Sequence, residues 1–125
     1  MPALEPLRGL RVVADPVALD AARWHGVDVT VLRFAPDDAF AVGADRVDVE
    51  DPHAIVEDEV GFVGAWLPVD VIAAHVEWAL PADRPALAQG AVANVPAKVW
   101  LAGDDGDALL ITAAAYADEL ASRLR

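Results

Sequence analysis

Few side chains in this sequence have the chemistry of a nucleophile. Lys98 is the only lysine and Ser122 the only serine among the 125 residues. Ser122 falls on the polar face of a predicted C-terminal helix, with no base beside it. Lys98 falls in a predicted strand, where a buried lysine can act in catalysis but an edge lysine more often discourages aggregation. These types and spacings identify no catalytic residue.

The three histidines are His25, His53 and His75. His53 lies between Asp51 and Glu57, and such a group suggests a metal site only as a weak alternative, because the spacing matches no metal motif. His75 has a glutamate two positions later on a predicted helix, which places the two side chains on different faces. His25 falls at a predicted helix C-terminus, where the helix dipole favours a cation. The sequence therefore predicts no metal site and no cofactor.

Four tryptophans are many for a chain of this length, and tryptophan is enriched both in ligand pockets and at interfaces. Trp66 and Trp100, with Lys98 on the same strand face as Trp100, are the residues predicted to line a ligand pocket. Trp78 is predicted to be the most exposed of the four and to mark a partner surface. The alternative is that two or three of the tryptophans belong to the core.

Composition excludes several classes of protein. With 21 acidic against 9 basic residues the net charge is −12, which opposes binding to nucleic acid and to anionic membranes. The absence of cysteine removes disulfides, zinc–thiolate sites and cysteine nucleophiles. No apolar stretch approaches the roughly 20 residues that span a bilayer, and the first residues lack the pattern of a signal peptide. We therefore expect a cytoplasmic protein.

The first half of the sequence predicts a strand, a helix, and then a hairpin. Asp15 and Pro16 have the types of a helix N-cap and first helical position, and Gly26 would end that helix. Residues 45–59 are strongly acidic and are predicted to form an edge strand and connector. The predicted elements are a strand over 10–14, a helix over 17–25, and strands over 27–34 and 39–42.

The second half predicts a strand, a helix, and a hairpin followed by a helix. The helix over 69–80 has apolar stripes on two opposite faces, which is typical of a helix packed on both sides. Turn residues separate two apolar runs near the C-terminus, a strong hairpin signal, and Thr112 is a candidate N-cap for the last helix. The predicted segments are a strand over 60–67, the helix over 69–80, an extended run over 90–94, strands over 98–101 and 108–111 joined by a turn over 103–106, and a helix over 113–124.

Together these elements predict a single α+β domain over residues 1–125. The length and the 56% apolar content are sufficient for a core without disulfides or metals. The sheet is predicted to be small and mixed or antiparallel, with two to three helices packed on it. The layout repeats once as two hairpin-plus-helix units.

The order of elements after residue 60 resembles a known family. The carrying segments are the apolar strand Gly-Phe-Val-Gly-Ala-Trp-Leu at 61–67, the proline-containing passage at 79–85, and the segments at 91–101, 108–112 and 116–120. This pattern is similar to the gamma subunit of heterotetrameric sarcosine oxidases, which belongs with the folate-binding, aminomethyltransferase-like domains. The resemblance implies contacts with a larger protein subunit and a folate- or amine-type ligand.

Two hypotheses on function follow. The first is a non-catalytic accessory or assembly domain that associates with itself or with a larger protein. Its interface would use Val71, His75 and Trp78 with the strand at 61–67. The second is a small-molecule binding protein or enzyme whose pocket includes Trp66, Trp100 and Lys98. The lack of a catalytic group favours the first, and the four tryptophans favour the second.

Overall fold

The computed structural model describes residues 3–103 and 106–125. The described chain contains seven strands, three α-helices of five to seven residues, and one turn of 3-10 helix. It divides into two compact units. The N-terminal unit is Leu7–Val60, and the C-terminal unit is Gly61–Arg125 with the residues before Leu7. The predicted α+β class is confirmed in part: antiparallel strands form most of the regular structure, and the three α-helices are short.

The N-terminal unit is built on antiparallel pairs of long strands. Its strand order is β2-β3-β1-β4, and β3 pairs antiparallel with both β1 and β2. A tight turn joins β2 to β3, so the predicted hairpin is confirmed. The elements are β1 (Glu5–Val13), α1 (Pro16–Asp20), β2 (Arg23–Ala35), β3 (Asp38–Asp48) and the first part of β4 (Ile55–Pro68).

A charged cluster connects the strands of the N-terminal unit. Arg11 donates from Nε and Nη2 to the two carboxylate oxygens of Asp38, at 2.6 and 2.7 Å, and from Nη1 to Glu59 at 2.9 Å. Its guanidinium lies over the Phe34 ring, 4.8 Å from the centroid. The hydrogen bond to Asp38 raises the pKa of Arg11 above its already basic value. This geometry supplies partners to a charge that is largely removed from water.

The end strand β2 carries a bulge that breaks the regularity of its outer edge. The register with β3 shifts on both sides of the segment 26–30, and Asp28 has a φ of 52°. Gly43 on β3 has a φ of 88°, and a Cβ there would lie 2.7 Å from the carbonyl oxygen of Val27. Bulges of this kind on an end strand oppose edge-to-edge pairing with other chains.

The C-terminal unit has shorter strands in the order β4-β7-β6-β5. All three pairings are antiparallel. The elements after β4 are α2 (Val69–Ala73), β5 (Ala86–Val92), β6 (Val95–Leu101), β7 (Asp107–Ala113), the 3-10 turn Ala114–Tyr116 and α3 (Ala117–Arg123).

Alternate residues of these strands share a buried cluster with single residues of α2 and α3. Val99 and Leu110, on neighbouring strands, are fully buried in one cluster with Ile72 of α2 and Leu120 of α3. Burying each such side chain stabilises the fold by about 1.5–3 kcal/mol. Because side chains alternate between the faces of a strand, the residues between them point to the opposite face of the sheet.

The first helix is shorter than predicted, and Gly26, the residue predicted to end it, lies in a strand. α1 ends at Asp20, and the chain is already in β2 at Trp24 and His25. Trp24 packs against the buried cluster of the N-terminal unit. Gly26 lies in the bulge of β2 instead of capping a helix. The alternating valines at 27, 29 and 31 belong to the same strand, which begins before Gly26. The partial burial of Trp24 outweighs the local helical pattern.

The second helix begins at Val69 as predicted but ends early, at Ala73, so the predicted length to residue 80 and its two apolar stripes are wrong. The segment after it is bound to the end strand β5. The Trp78 indole Nε1 donates to the carbonyl oxygen of Ala91 at 2.8 Å. The backbone N–H of Ala93 donates to the carbonyl oxygen of His75 at 2.7 Å. These contacts, made by residues distant in sequence, outweigh helix propensity in this segment.

The predicted strands of the last third are confirmed as parts of β6 and β7. Of the predicted turn at 103–106, Asp104 and Asp105 lie outside the described residues. The predicted extended run at 90–94 is confirmed only in part: β5 ends at Val92, and Ala93 and Asn94 form a tight turn with φ values of 50° and 62°.

Two further local predictions are wrong. Thr112 is a buried residue of β7, and its Oγ1 donates to the carbonyl oxygen of Pro96 at 2.8 Å instead of capping the last helix. That helix itself begins as the 3-10 turn Ala114–Tyr116. The acidic segment at 45–59 is not an edge strand, because its first residues belong to β3, which lies between β2 and β1.

Candidate functional site

The C-terminal unit contains a cavity of about 430 Å³ whose wall includes Lys98. Lys98 on β6 is in register with Gln89 of β5 on one side and Ile111 of β7 on the other. Strand alternation places this row opposite the face that carries Val99. Val99 belongs to the buried cluster that also includes Ile72 of α2 and Leu120 of α3. Three adjacent antiparallel strands therefore position the row.

The cavity wall is mainly apolar. Phe62 and Pro96 contribute hydrocarbon surface, and Tyr116 of the 3-10 turn contributes an aromatic ring; Ile111 lies behind this surface and is fully buried. Thr112 also lines it, with its hydroxyl already donated to a backbone carbonyl. An apolar cavity of several hundred cubic ångströms with a few polar groups has the typical character of a small-molecule site.

The charge of this cavity differs from that of three other cavities on the described surface. A cavity of about 340 Å³ is lined by Asp45 and Asp58, one of about 380 Å³ by Asp48 and Glu50, and one of about 150 Å³ by Glu77. No carboxylate and no imidazole is among the described residues that line the Lys98 cavity. The described lining therefore lacks the paired acid and base that general acid–base catalysis requires.

Of the three residues predicted to line a pocket, Lys98 lines this cavity, and the described lining does not include Trp66 or Trp100. Trp66 and Trp100 are both in register with Leu109, one step of two residues along the strands from the row of Lys98. They share its sheet face but are not among the described lining residues. The side chains that sequence reasoning missed are Gln89, Phe62, Ile111 and Tyr116. For Ile111, the alternation of side chains along β6 and β7 could have indicated that it shares a sheet face with Lys98.

The three residues of the predicted interface lie on different local structures. Val71 is in α2, whereas His75 and Trp78 follow that helix. The prediction that Trp78 is the most exposed tryptophan is wrong: Trp66 is 47% exposed, and Trp78 is partly buried against the core of the C-terminal unit. A Cβ on Gly90 would lie 2.8 Å from the Trp78 ring, so the absent side chain of Gly90 admits the indole. The interface itself stays a prediction.

The histidines of the N-terminal unit take part in local polar contacts. His25 Nε2 lies 2.9 Å from Asp48 Oδ2 across the β2–β3 pair, and this hydrogen bond lowers the pKa of Asp48. Asp51 accepts the backbone N–H groups of Asp15 and His53, each at 2.8 Å. These two bonds lower the pKa of Asp51. The carboxylate oxygens of Asp51 thus stabilise a connector.

The weak metal hypothesis at Asp51, His53 and Glu57 finds no geometric support. Within residues 3–103 and 106–125, no three His, Asp or Glu side chains are grouped so that they could hold a metal ion. Both oxygens of Asp51 instead accept backbone hydrogen bonds. Likewise, none of the described helices has both the length and the apolar character needed to cross a membrane.

In comparisons with known proteins, no family model, no curated protein and no solved structure matches this chain. The resemblance to the sarcosine oxidase gamma subunit is tested by none of these comparisons and stays a prediction.

Proposed function

We propose that the protein is a small-molecule binding protein whose ligand enters the Lys98 cavity of the C-terminal unit. The observation that carries this proposal is the position of the only lysine of the chain in the wall of an apolar cavity of about 430 Å³. Sites of this size and polarity commonly bury most of a small ligand and orient it with a few polar groups. The cysteine-free composition supports a cytoplasmic location as part of the same proposal.

The strand framework supports this proposal because it fixes the lining residues. Gln89, Lys98 and Ile111 are held in one row by backbone pairing across three strands. The opposite face of those strands is anchored by buried residues such as Val99 and Leu110. A site on paired strands is held more rigidly than one on loops, so it needs less ordering when a ligand binds.

The test is a titration of the full chain with a panel of folate, small amines and aromatic carboxylates, followed by backbone amide chemical shifts. We expect at least one compound to give saturable shifts that centre on Gln89, Lys98 and Ile111. Ala91→Trp places a large ring on an exposed residue of the cavity wall and should reduce the binding. Ala82→Trp is the matched control, since Ala82 is exposed and not among the described lining residues. Absence of saturable shifts for every compound would contradict the proposal.

A second candidate function is an accessory or assembly role through protein contacts, with itself or with a larger subunit. The observation that favours it is Trp66, which is 47% exposed on the same sheet face as Trp100. Exposed tryptophan is enriched at the centre of interfaces. Light scattering of the wild type and of Trp66→Ser, with a pull-down from lysate, tests this role. A monomer with no partner, unchanged by the substitution, would contradict it.

A further inference from the structure

We infer that the hydroxyl of Tyr116 selects ligands of the Lys98 cavity by donating to a hydrogen-bond acceptor, an inference that rests on the proposed function. The described lining residues with hydrogen-bonding side chains are Gln89, Lys98, Thr112 and Tyr116. Gln89 and Lys98 already take part in interactions within the chain. The Thr112 hydroxyl donates to the carbonyl oxygen of Pro96 at 2.8 Å. The Tyr116 hydroxyl forms no hydrogen bond within the part of the chain that the structure describes, so a ligand can use it without breaking an existing contact.

The elements on both sides of Tyr116 hold it at the cavity. It is the last residue of the 3-10 turn that follows β7 directly, and its neighbour Ala117 begins α3. Leu110 of β7 and Leu120 of α3 are both fully buried in the core of the C-terminal unit. Tyr116 itself is 39% exposed, so a ligand can reach it. Because its backbone is anchored on both sides, little further ordering is needed when a ligand binds.

The rest of the wall defines the body of this ligand. Ala91 and Pro96 are exposed and Phe62 is half-buried, so apolar surface is accessible in the same cavity. At about 30 Å³ for each water-sized unit of liquid, a cavity of about 430 Å³ holds roughly 14 non-hydrogen atoms. A phenol hydroxyl is a donor for carbonyl and carboxylate oxygens. The ligand class is therefore a small apolar ring system that carries a hydrogen-bond acceptor.

Two probes of the same shape test the inference: acetophenone has a carbonyl oxygen where α-methylstyrene has a methylene group. Titration of the full chain, followed by backbone amide chemical shifts, should show acetophenone binding about three- to tenfold more tightly, as one net hydrogen bond provides. Equal affinities would overturn the selection of an acceptor. Binding of neither probe, while another compound of the wider panel binds, would overturn this ligand class. Failure of both probes and of the whole panel would contradict the proposed function itself.

Variants separate the hydroxyl of Tyr116 from its ring. Tyr116→Phe keeps the ring and should lower the affinity for acetophenone to that for α-methylstyrene, while the affinity for α-methylstyrene is retained. Ser122→Ala is the matched control, because it removes a hydroxyl from an exposed residue of the same unit that is not among the described lining residues. It should leave both affinities unchanged. A preference for acetophenone that persists in Tyr116→Phe would overturn the assignment, and so would an equal loss of binding for both probes, which would indicate a packing role.

Discussion

The two units each contain a cation that is partly removed from water, and they treat it differently. In the N-terminal unit, Arg11 is 30% exposed and its guanidinium donates to both Asp38 and Glu59. In the C-terminal unit, Lys98 lies in the wall of an apolar cavity whose described residues include no carboxylate. Arg11, held by two carboxylates and an aromatic ring, has a structural role, whereas the role proposed for Lys98 is to meet a ligand.

The end strands of the two units show a second difference. The edge of β2 is interrupted by a bulge that Gly43 accommodates, since a Cβ there would lie 2.7 Å from the carbonyl oxygen of Val27. The edge of β5 is instead covered by the segment that carries Trp78, which bonds to Ala91. Both devices oppose edge-to-edge pairing, but the second includes a side chain, Trp78, that fits against Gly90.

The largest expected effect is the loss of stability when the charge of Arg11 is removed. Arg11→Met removes three hydrogen bonds and leaves Asp38 and Glu59 facing each other without their shared cation. Breaking a buried ion pair costs about 3–5 kcal/mol, and the partial exposure of this one reduces the expected loss to about 2–3 kcal/mol. Urea unfolding followed by circular dichroism measures the free energy of unfolding.

The control for Arg11→Met is Arg46→Met, because Arg46 is exposed on a neighbouring strand and carries the same charge. It should change the free energy of unfolding by less than about 0.5 kcal/mol. Equal losses in the two variants would remove the distinction between a structural cation and a surface one.

The second prediction concerns the cover of the end strand β5. Gly90→Ala places a methyl group within 2.8–3.0 Å of three atoms of the Trp78 indole, and overpacking of this kind costs about 1–3 kcal/mol. In a Trp78→Leu background the same substitution should cost less, so a double-mutant cycle should give a measurable coupling energy. Gly103→Ala is the control, because nothing lies within 4 Å of a Cβ at that position. An identical cost of Gly90→Ala in both backgrounds would contradict the packing role.

The sequence was sufficient to predict the elements that are determined by local pattern. Apolar runs on both sides of the turn at 103–106 predicted β6 and β7, and the turn residue types at 35–38 predicted the β2–β3 hairpin. Helix lengths were not predictable in this way. Trp78 leaves the helical path to bond with Ala91, thirteen residues further along the chain, and no local pattern encodes that contact.

The candidate site was predicted only through its charged residue. Lys98 stands out by type, but the cavity around it depends on strand register, which brings Gln89 and Ile111 beside it from two other strands. The tryptophans were expected beside Lys98 because Trp100 shares its face. Register instead pairs Trp100 with Leu109, so the aromatic residues that line the cavity are Phe62 and Tyr116.

A smaller effect on stability is expected for Lys98. On the proposed function, Lys98→Met should lower the free energy of unfolding by less than Arg11→Met does, because the methionine side chain retains the apolar packing of the lysine stem. The comparison with Arg11→Met is made under identical urea conditions. A loss in Lys98→Met as large as that in Arg11→Met would assign Lys98 a structural role and weaken the contrast between the units.

The smallest expected effect is a shift of acid stability in the N-terminal unit. The hydrogen bond from His25 lowers the pKa of Asp48 in the folded state, so its contribution is present above the unfolded-state pKa and is lost as pH falls through the folded-state pKa. Asp48→Asn should therefore lower the melting temperature slightly at neutral pH and leave it unchanged at strongly acidic pH, where both chains are uncharged at this position. Glu50→Gln, on the same exposed surface, should show a weaker dependence on pH. A deficit in Asp48→Asn that stays constant into acid would mean that the side-chain shape at this position matters and its charge does not.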